Sequence, residues 1–481
     1  MKIVSGIDEI TTQLCVYECM NKTKLTILLA SATLISIVGL YAKLFKEPIN
    51  AVPPPAQAPQ QSKLPVSPLK PEVLQKILDA QNVNSGIQYV EQSWQQQYQE
   101  YLQNKLPSNQ IFDAQKMSRI LDQLHQQTGT KSALIYAIPT PSHLELILVA
   151  PNIPAIHKRI PAAKREVLMK LVSKFRTAIV NSKPPDEYLS SGKQIHELLI
   201  APLEGVLQGQ KIDNLIFCLG GGLRTVPLAA IHDGEKFLVE KYSLGIIPAF
   251  NLLNFNRANI TQTQILAMGA SEFQAQQPLP AVPLELSSIV NNEWKGKSLL
   301  NQAFTPENLK KQRAIIPFGI VHLATHAELS PDSVEHSYIQ FWDTKVRLNE
   351  LKTLELNKPP VQLLVLSACR TALGNPQAEL GFAGLAVQSG ASSTIASLWS
   401  VDDTGTLALM TQFYQHLKDT PIKSEALRQA QIAMIKQQVS IKNNPAIRGS
   451  GSLPPDLANL NSLQLSHPFY WAGFTLIGNP W

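Results

Sequence analysis

Cysteine is scarce in this chain. Cys15, Cys19, Cys218 and Cys369 are the four present in 481 residues, too few for a disulfide framework and without the CxxC spacing of a metal site. Charge is thin as well, at 16%. The net charge of +6 is scattered along the chain, and the basic residues lack interleaved aromatics, which argues against nucleic acid as a partner. No period of about 34 residues recurs, so a helical repeat array is not supported. Gly220, Gly221 and Gly222 lack the Lys-Ser/Thr of a phosphate loop and the spacing of a dinucleotide fingerprint. No cofactor is therefore expected.

What is present is a hydrophobic fraction of 44%, on a chain too long for one ordinary core. After an N-terminal segment, 1–24, comes Leu25–Phe45 (LTILLASATLISIVGLYAKLF), whose one charge is Lys43. At ~1.5 Å per residue this stretch spans a bilayer core of about 30 Å, which predicts a transmembrane helix or signal anchor and a single-pass membrane protein. A cleaved signal peptide fits less well, because no small-x-small site precedes Lys43. Lys22 and Lys24 are balanced by Lys43 and Lys46, so the side on which the bulk lies stays open. Translation from Met20 would make NKTK and the apolar run a signal anchor, with the bulk outside the cytoplasm. Cys15 and Cys19 precede the apolar run; they read as unmodified thiols, with acylation beside the membrane as the alternative. Residues 46–70 form a Pro/Gln-rich linker. Over 71–130 the pattern is helical, and Val90, Trp94, Tyr98, Tyr101 and Leu102 make a stripe that reads as core.

From Ser132 the pattern changes to strands. A hairpin is expected across the Pro-Thr-Pro-Ser turn, followed by helices over 161–181 and 191–208. Apolar runs then alternate with helical patterns to the end, notably 318–325, 361–368 and 393–399. That alternation predicts an α/β fold with a mostly parallel sheet flanked by helices. Two of the runs stop on chemistry: FGIVHLATH ends at His326, and VQLLVLSAC ends at Cys369. Parallel sheets gather their chemistry beyond the carboxyl ends of their strands. An imidazole and a thiol on adjacent strand ends make a nucleophile and its base. Backbone N–H groups at Ala327 and Cys369 would then be placed to stabilise an oxyanion.

His322 and His326 are four apart, the spacing of a zinc motif, but that motif needs a helix, where such residues lie about 6 Å apart. On a strand the separation is roughly 13 Å. No metal site is read from them, and His322 reads as a buried residue bonded to backbone or supporting the site. Cys218, inside a strand-like run, reads as a small buried hydrophobe. Asp402 and Asp403 close another apolar run, LWSVDD, beside the proposed site. They are candidates either for capping the next helix or for binding substrate, and one of the two can do each.

The segments HLATHAELS, VLSACRTALG, GFAGLAVQSGASSTIASLWSVDD and HPFYWAGFTLIGNPW resemble the CHAT-domain family, caspase-like cysteine peptidases related to caspases, metacaspases and separases. The likeness covers roughly residues 132–481. It implies a CHAT domain over 131–481, with a degenerate half at about 131–262 and an active half at about 263–481. His326 and Cys369 map onto the family's catalytic dyad, and separase-like relatives place an acidic residue near Asp402 and Asp403 to hold a basic P1 side chain. The activity implied is that of a cysteine endopeptidase on protein or peptide substrates. Two positions depart from the pattern. Ala327 stands where glycine is common, and Arg370 where an acidic residue is common. They motivate a second reading, an inactive interaction module at the membrane.

Overall fold

The computed structural model describes residues 69–102, 111–182, 184–255, 259–274, 276–290, 294–330, 335–371, 376–439 and 464–481. The apolar stretch 25–45 and nearly all of the linker lie outside them. Among the described residues no helix is long and apolar enough to cross a membrane.

Among the described residues three helices come first, α1 (Pro71–Asp79), α2 (Val83–Tyr101) and α3 (Ala114–Thr128). Their starts follow from local chemistry. Pro71 opens α1, the Asn82 side chain accepts the Ser85 N–H ahead of α2, and Asp113 accepts that of Lys116 ahead of α3. Gly129, at φ +73°, ends α3 in the left-handed conformation. The aromatic stripe is core, with Val90, Trp94, Tyr98 and Leu102 buried. The chain continues through β1 (Ser132–Pro139), β2 (Leu144–Val149) and β3 (Ile156–Ile160), then α4 (Arg165–Val180), α5 (Pro185–Leu199) and α6 (Ala201–Gly209). A single helix over 191–208 is thus replaced by two, because Pro202 cannot continue the first and instead sits in the opening turn of the second. Next come β4 (Asn214–Leu219), α7 (Leu238–Lys241) and β5 (Ser243–Ile247).

The remainder supplies β6 (Ile265–Gly269), α8 (Val282–Ser288), β7 (Gly296–Leu300), α9 (Pro306–Ile315), β8 (Ile320–Leu329), β9 (Tyr338–Gln340) and β10 (Lys345–Arg347). After these follow β11 (Leu363–Thr371), α10 (Pro376–Ala383), α11 (Leu385–Ser389), β12 (Ser393–Ser397), α12 (Asp403–Asp419), α13 (Lys423–Ile435) and β13 (Phe474–Gly478). All these strands join one sheet, in the order β10-β9-β8-β11-β12-β13-β5-β4-β1-β2-β3, with β6 on β8 and β7 on β6. Among the described residues seven of the twelve strand pairings are parallel. The sheet is therefore mixed, its antiparallel pairs lying at the two margins and where β12 meets β13.

Burial follows the pattern that both-sided packing demands. Every residue of β1, β4 and β12 is buried, and so are the first six of β8. Cys218 lies in β4 with its thiol directed at the Pro248 carbonyl, and burial pushes its pKa well up. That makes it an inert thiol. The N-terminal helices are tied to the sheet by Glu91 of α2. Its carboxylate accepts from the Tyr136 hydroxyl at 2.7 Å, Phe250 N at 2.9 Å and Asn251 N at 2.8 Å.

Candidate active site

Three parallel neighbours, β8, β11 and β12, run side by side to one edge of the sheet. They deliver His326, Cys369 and, just past Ser397, Asp402 and Asp403. His326 and Cys369 are not the last residues of their strands, as the apolar runs suggested. Pairing with β9 carries β8 on to Leu329, and β11 continues to Thr371. Between Leu366 and Ala368 the register of β11 on β8 slips: Leu366 pairs with Leu323, whereas Ala368 pairs with His326. The extra residue is on β8, so a bulge immediately precedes His326, and bulges re-aim the side chains that follow them. Beyond it Cys369 lies opposite Ala327, one position past the partner of His326. The backbone of Cys369 is described and its side chain is not, so the separation of thiol and imidazole lies outside the described part. Ala327 is buried and paired on both sides, with Cys369 and with Ile339 of β9.

The segment from Ser271 to Ala281 organises the imidazole. It is pinned where the Ser271 N–H donates to the Asn301 side chain at 2.9 Å, and closed where Leu279 N donates to the Ser271 carbonyl at 2.9 Å. Within it the Gln277 carbonyl lies 2.8 Å from His326 Nε2. A carbonyl oxygen only accepts, so Nε2 carries the proton and Nδ1 is the basic nitrogen. The Phe273 ring packs beside the imidazole, with centroids 4.7 Å apart and planes at 61°.

The two aspartates divide their work. Asp402 is the N-cap of α12 and accepts from the N–H groups of Thr404 and Gly405, each at 3.0 Å. Asp403 turns towards the segment that holds His326 and accepts the Ala281 N–H at 2.6 Å. Burial pushes its carboxyl up to about 7; the Ala281 N–H opposes the rise, and the Glu285 and Asp402 carboxylates add to it. Under this surface is a second polar layer. His322, fully buried, places Nδ1 3.0 Å from the Tyr414 hydroxyl and Nε2 3.0 Å from Glu285 of α8. It is thus braced by side chains of two helices rather than by backbone, a supporting position under the edge that carries His326.

A family model for the CHAT domain matches residues 189–479. The chain belongs to the CHAT-domain family. No curated protein sequence matches it. Its similarities among solved structures are distant. Separase of Saccharomyces cerevisiae, in its complex with securin, is 9% identical at a TM-score of 0.46, over 83% of this chain and 34% of the separase chain. RgpB of Porphyromonas gingivalis, with its pro- and mature domains, is 10% identical at 0.33, over 72% of this chain and 78% of that one. The Arg-specific cysteine proteinase gingipain R is 12% identical at 0.35, over 65% and 74%. The chain therefore spans about a third of the length of the separase it resembles.

Around the CHAT-domain site the sequence pattern showed no sign of several polar residues. Glu285 and Tyr414 are separated from His322 by 37 and 92 positions. Glu379 of α10, ten positions past Cys369, accepts the Gly222 N–H at 2.6 Å. Arg176 is buried next to it and donates to the Thr225 hydroxyl at 2.6 Å, while Arg165 donates to the Gly221 carbonyl. The Gly220–Gly222 turn thus receives a carboxylate of the protein itself. Gly222 lies at φ +96°, a left-handed conformation that favours glycine.

Proposed function

We propose that this CHAT protein is a cysteine endopeptidase in which Cys369 is the nucleophile, His326 its base, and Asp403 the carboxylate that receives a basic P1 side chain. The observation that carries the reading is the placement of His326 and Cys369 on adjacent parallel strands, with Asp403 opening the helix that follows the next strand, together with the fixed tautomer of His326. In the proposed reaction Nδ1 takes the thiol proton and the sulfur bonds to the scissile carbonyl carbon. Backbone N–H groups near Cys369 and Ala327 stabilise the oxyanion. The carbon–nitrogen bond then breaks as His326 returns the proton to the leaving amine. Water, deprotonated by the same nitrogen, resolves the thioester.

Asp403 supports the P1 assignment because the capping duty is taken by Asp402, while the Asp403 carboxylate turns to the segment that also holds His326. The apolar run 25–45 supports a membrane tether for the domain; removing residues 1–45 is expected to shift the protein from the membrane to the soluble fraction. Activity is tested by incubating the full chain with a peptide library and sequencing the products. Cleavage after Arg or Lys, lost in Cys369→Ala and His326→Ala, is expected. Equal cleavage by Cys369→Ala overturns the reading.

A further inference from the structure

A cavity of about 480 Å³ opens on the side of His326 away from β11. Its walls are Glu272, Phe273 and Gln276, from the segment that orients the imidazole, and Tyr338, Trp342 and Asp343, from β9 and its turn into β10. Phe273 is shared: it packs on the His326 ring and lines the cavity. The geometry points to a substrate subsite for a basic side chain two or three residues past the scissile bond, on the leaving-group side. This inference rests on the peptidase reading above, which makes no statement about residues beyond the cut.

The side follows from the chemistry. A histidine that protonates the leaving amine stands on the leaving-group side of the nucleophile, and the cavity lies further out in the same direction. Across the sheet edge the sequence is Asp403 past β12, Cys369 on β11, His326 on β8, then the cavity at β9 and β10. The distance sets the position. Two strand spacings of about 4.8 Å separate β11 from β9, and an extended peptide advances ~3.3 Å per residue. The cavity is therefore reached by the second or third residue past the cut.

Its lining sets the chemical class. The carboxylates of Glu272 and Asp343 are exposed at the cavity, and that of Glu328 accepts the Tyr338 hydroxyl at 3.2 Å. Among the described residues that line the cavity the cation is Lys345, whose ammonium lies 3.9 Å from the centre of the Tyr338 ring. The rim thus already carries an ammonium over an aromatic face, with net negative charge left over. The rings of Phe273, Tyr338 and Trp342 match the apolar stem of an arginine or lysine, and the carboxylates match its head. Gln276 adds polarity: its Nε2 donates to the Tyr338 hydroxyl, and its Oε1 is a buried acceptor with no partner among the described residues.

The test uses peptides with one common basic P1 residue and Arg, Ala or Glu at the second and third positions past the cut. Binding is measured by fluorescence anisotropy to the full chain carrying Cys369→Ala, and kcat/KM is measured on the wild-type chain. The expected order is Arg above Ala above Glu, with the Arg preference shrinking at high salt. In Glu272→Gln/Asp343→Asn it is expected to fall by about fivefold or more, as two exposed ion pairs allow. Both residues are exposed, and an unchanged melting curve verifies the fold of the variant. Equal affinity for the three peptides, or an Arg preference untouched by the double variant, overturns the subsite. Ordered binding without cleavage sinks the peptidase reading alone, and cleavage without ordering sinks the subsite alone.

Discussion

Replacing Asp403 by asparagine separates the cost of this carboxylate from its use. At ~1.4 kcal/mol per tenfold change in proton affinity, raising the group from 3.8 to about 7 bounds the cost of ionising it in the fold at about 4 kcal/mol. Because the side chain is only partly buried, solvent screening brings the expected value to about 1–3 kcal/mol. The sign is that of a raised acid. Between 3.8 and about 7 the folded chain binds more protons than the unfolded one, so stability falls as pH rises through that window and then levels off. The amide introduced by Asp403→Asn keeps an oxygen for the Ala281 N–H and removes the charge. Urea unfolding of Asp403→Asn should give a higher midpoint than wild type at pH 8.5, with unchanged slope, and the same midpoint at pH 3.5. Peptide cleavage should move the other way. For a P1-Arg substrate wild-type kcat/KM should rise with pH through about 7 as the carboxylate ionises, and the variant should lose both the activity and the rise. A stabilisation that is the same at pH 3.5 and 8.5 would refute the electrostatic argument. Cleavage unaffected by the substitution would refute the P1 assignment.

Two further predictions concern carboxylates away from the reacting atoms. Glu379→Ala leaves the Gly222 N–H and the buried Arg176 guanidinium, which burial already holds down at about 10, without their acceptor and counter-ion. It should cost about 2–4 kcal/mol in urea unfolding. Glu379→Gln, which still accepts from Gly222, should cost less, and since α10 begins seven positions after Cys369, cleavage should follow the same order. Glu145 of β2 receives His143 at 2.8 Å, His157 at 2.7 Å and Arg159 at 2.7 Å. Burial raises its pKa, but bonds from His157 and Arg159 outweigh that and bring it down to about 2. A depressed acid stabilises the fold above about 4.5, and this stabilisation is lost as pH falls from there towards 2. Glu145→Gln should lower stability at pH 7 by about 2–3 kcal/mol and flatten the acid limb of the unfolding profile. A limb as steep as that of wild type would count against the hub.

The central strands were legible because two-sided burial forces continuous apolar runs, and such runs need no knowledge of partners. That is how β1, β4, β8, β11 and β12 were read, and with them the positions of His326 and Cys369. The marginal strands gave no such signal. β3 reads IHKRI and β7 reads GKSLL, both partly or largely exposed at the sheet edges, so their polar residues satisfy solvent and erase the pattern. β10 has three residues and exists by pairing with β9, whereas β9 falls within an apolar run at 337–342 that reads as a strand. The buried carboxylates were hidden for a different reason. Glu91, Glu285 and Glu379 lie on helices, where an acidic residue ordinarily faces water, and each is held in the interior by groups far along the chain.

The bulge before His326 is the least legible feature and bears most directly on the chemistry. A strand end counted from sequence fixes which residue arrives at the edge, but a single inserted residue changes where its side chain points. In this fold β8 delivers His326 to the edge, and the Gln277 carbonyl, from a segment with no regular pattern, fixes its tautomer. Orientation of the imidazole is thus a tertiary property, set by a chain segment that also donates the Ala281 N–H to Asp403. One short segment therefore holds both the imidazole and the carboxylate. A change that loosens it, such as Asn301→Ala at the pin on Ser271, should lower kcat and shift P1 preference together, whereas the same loss of stability placed in β3 should do neither.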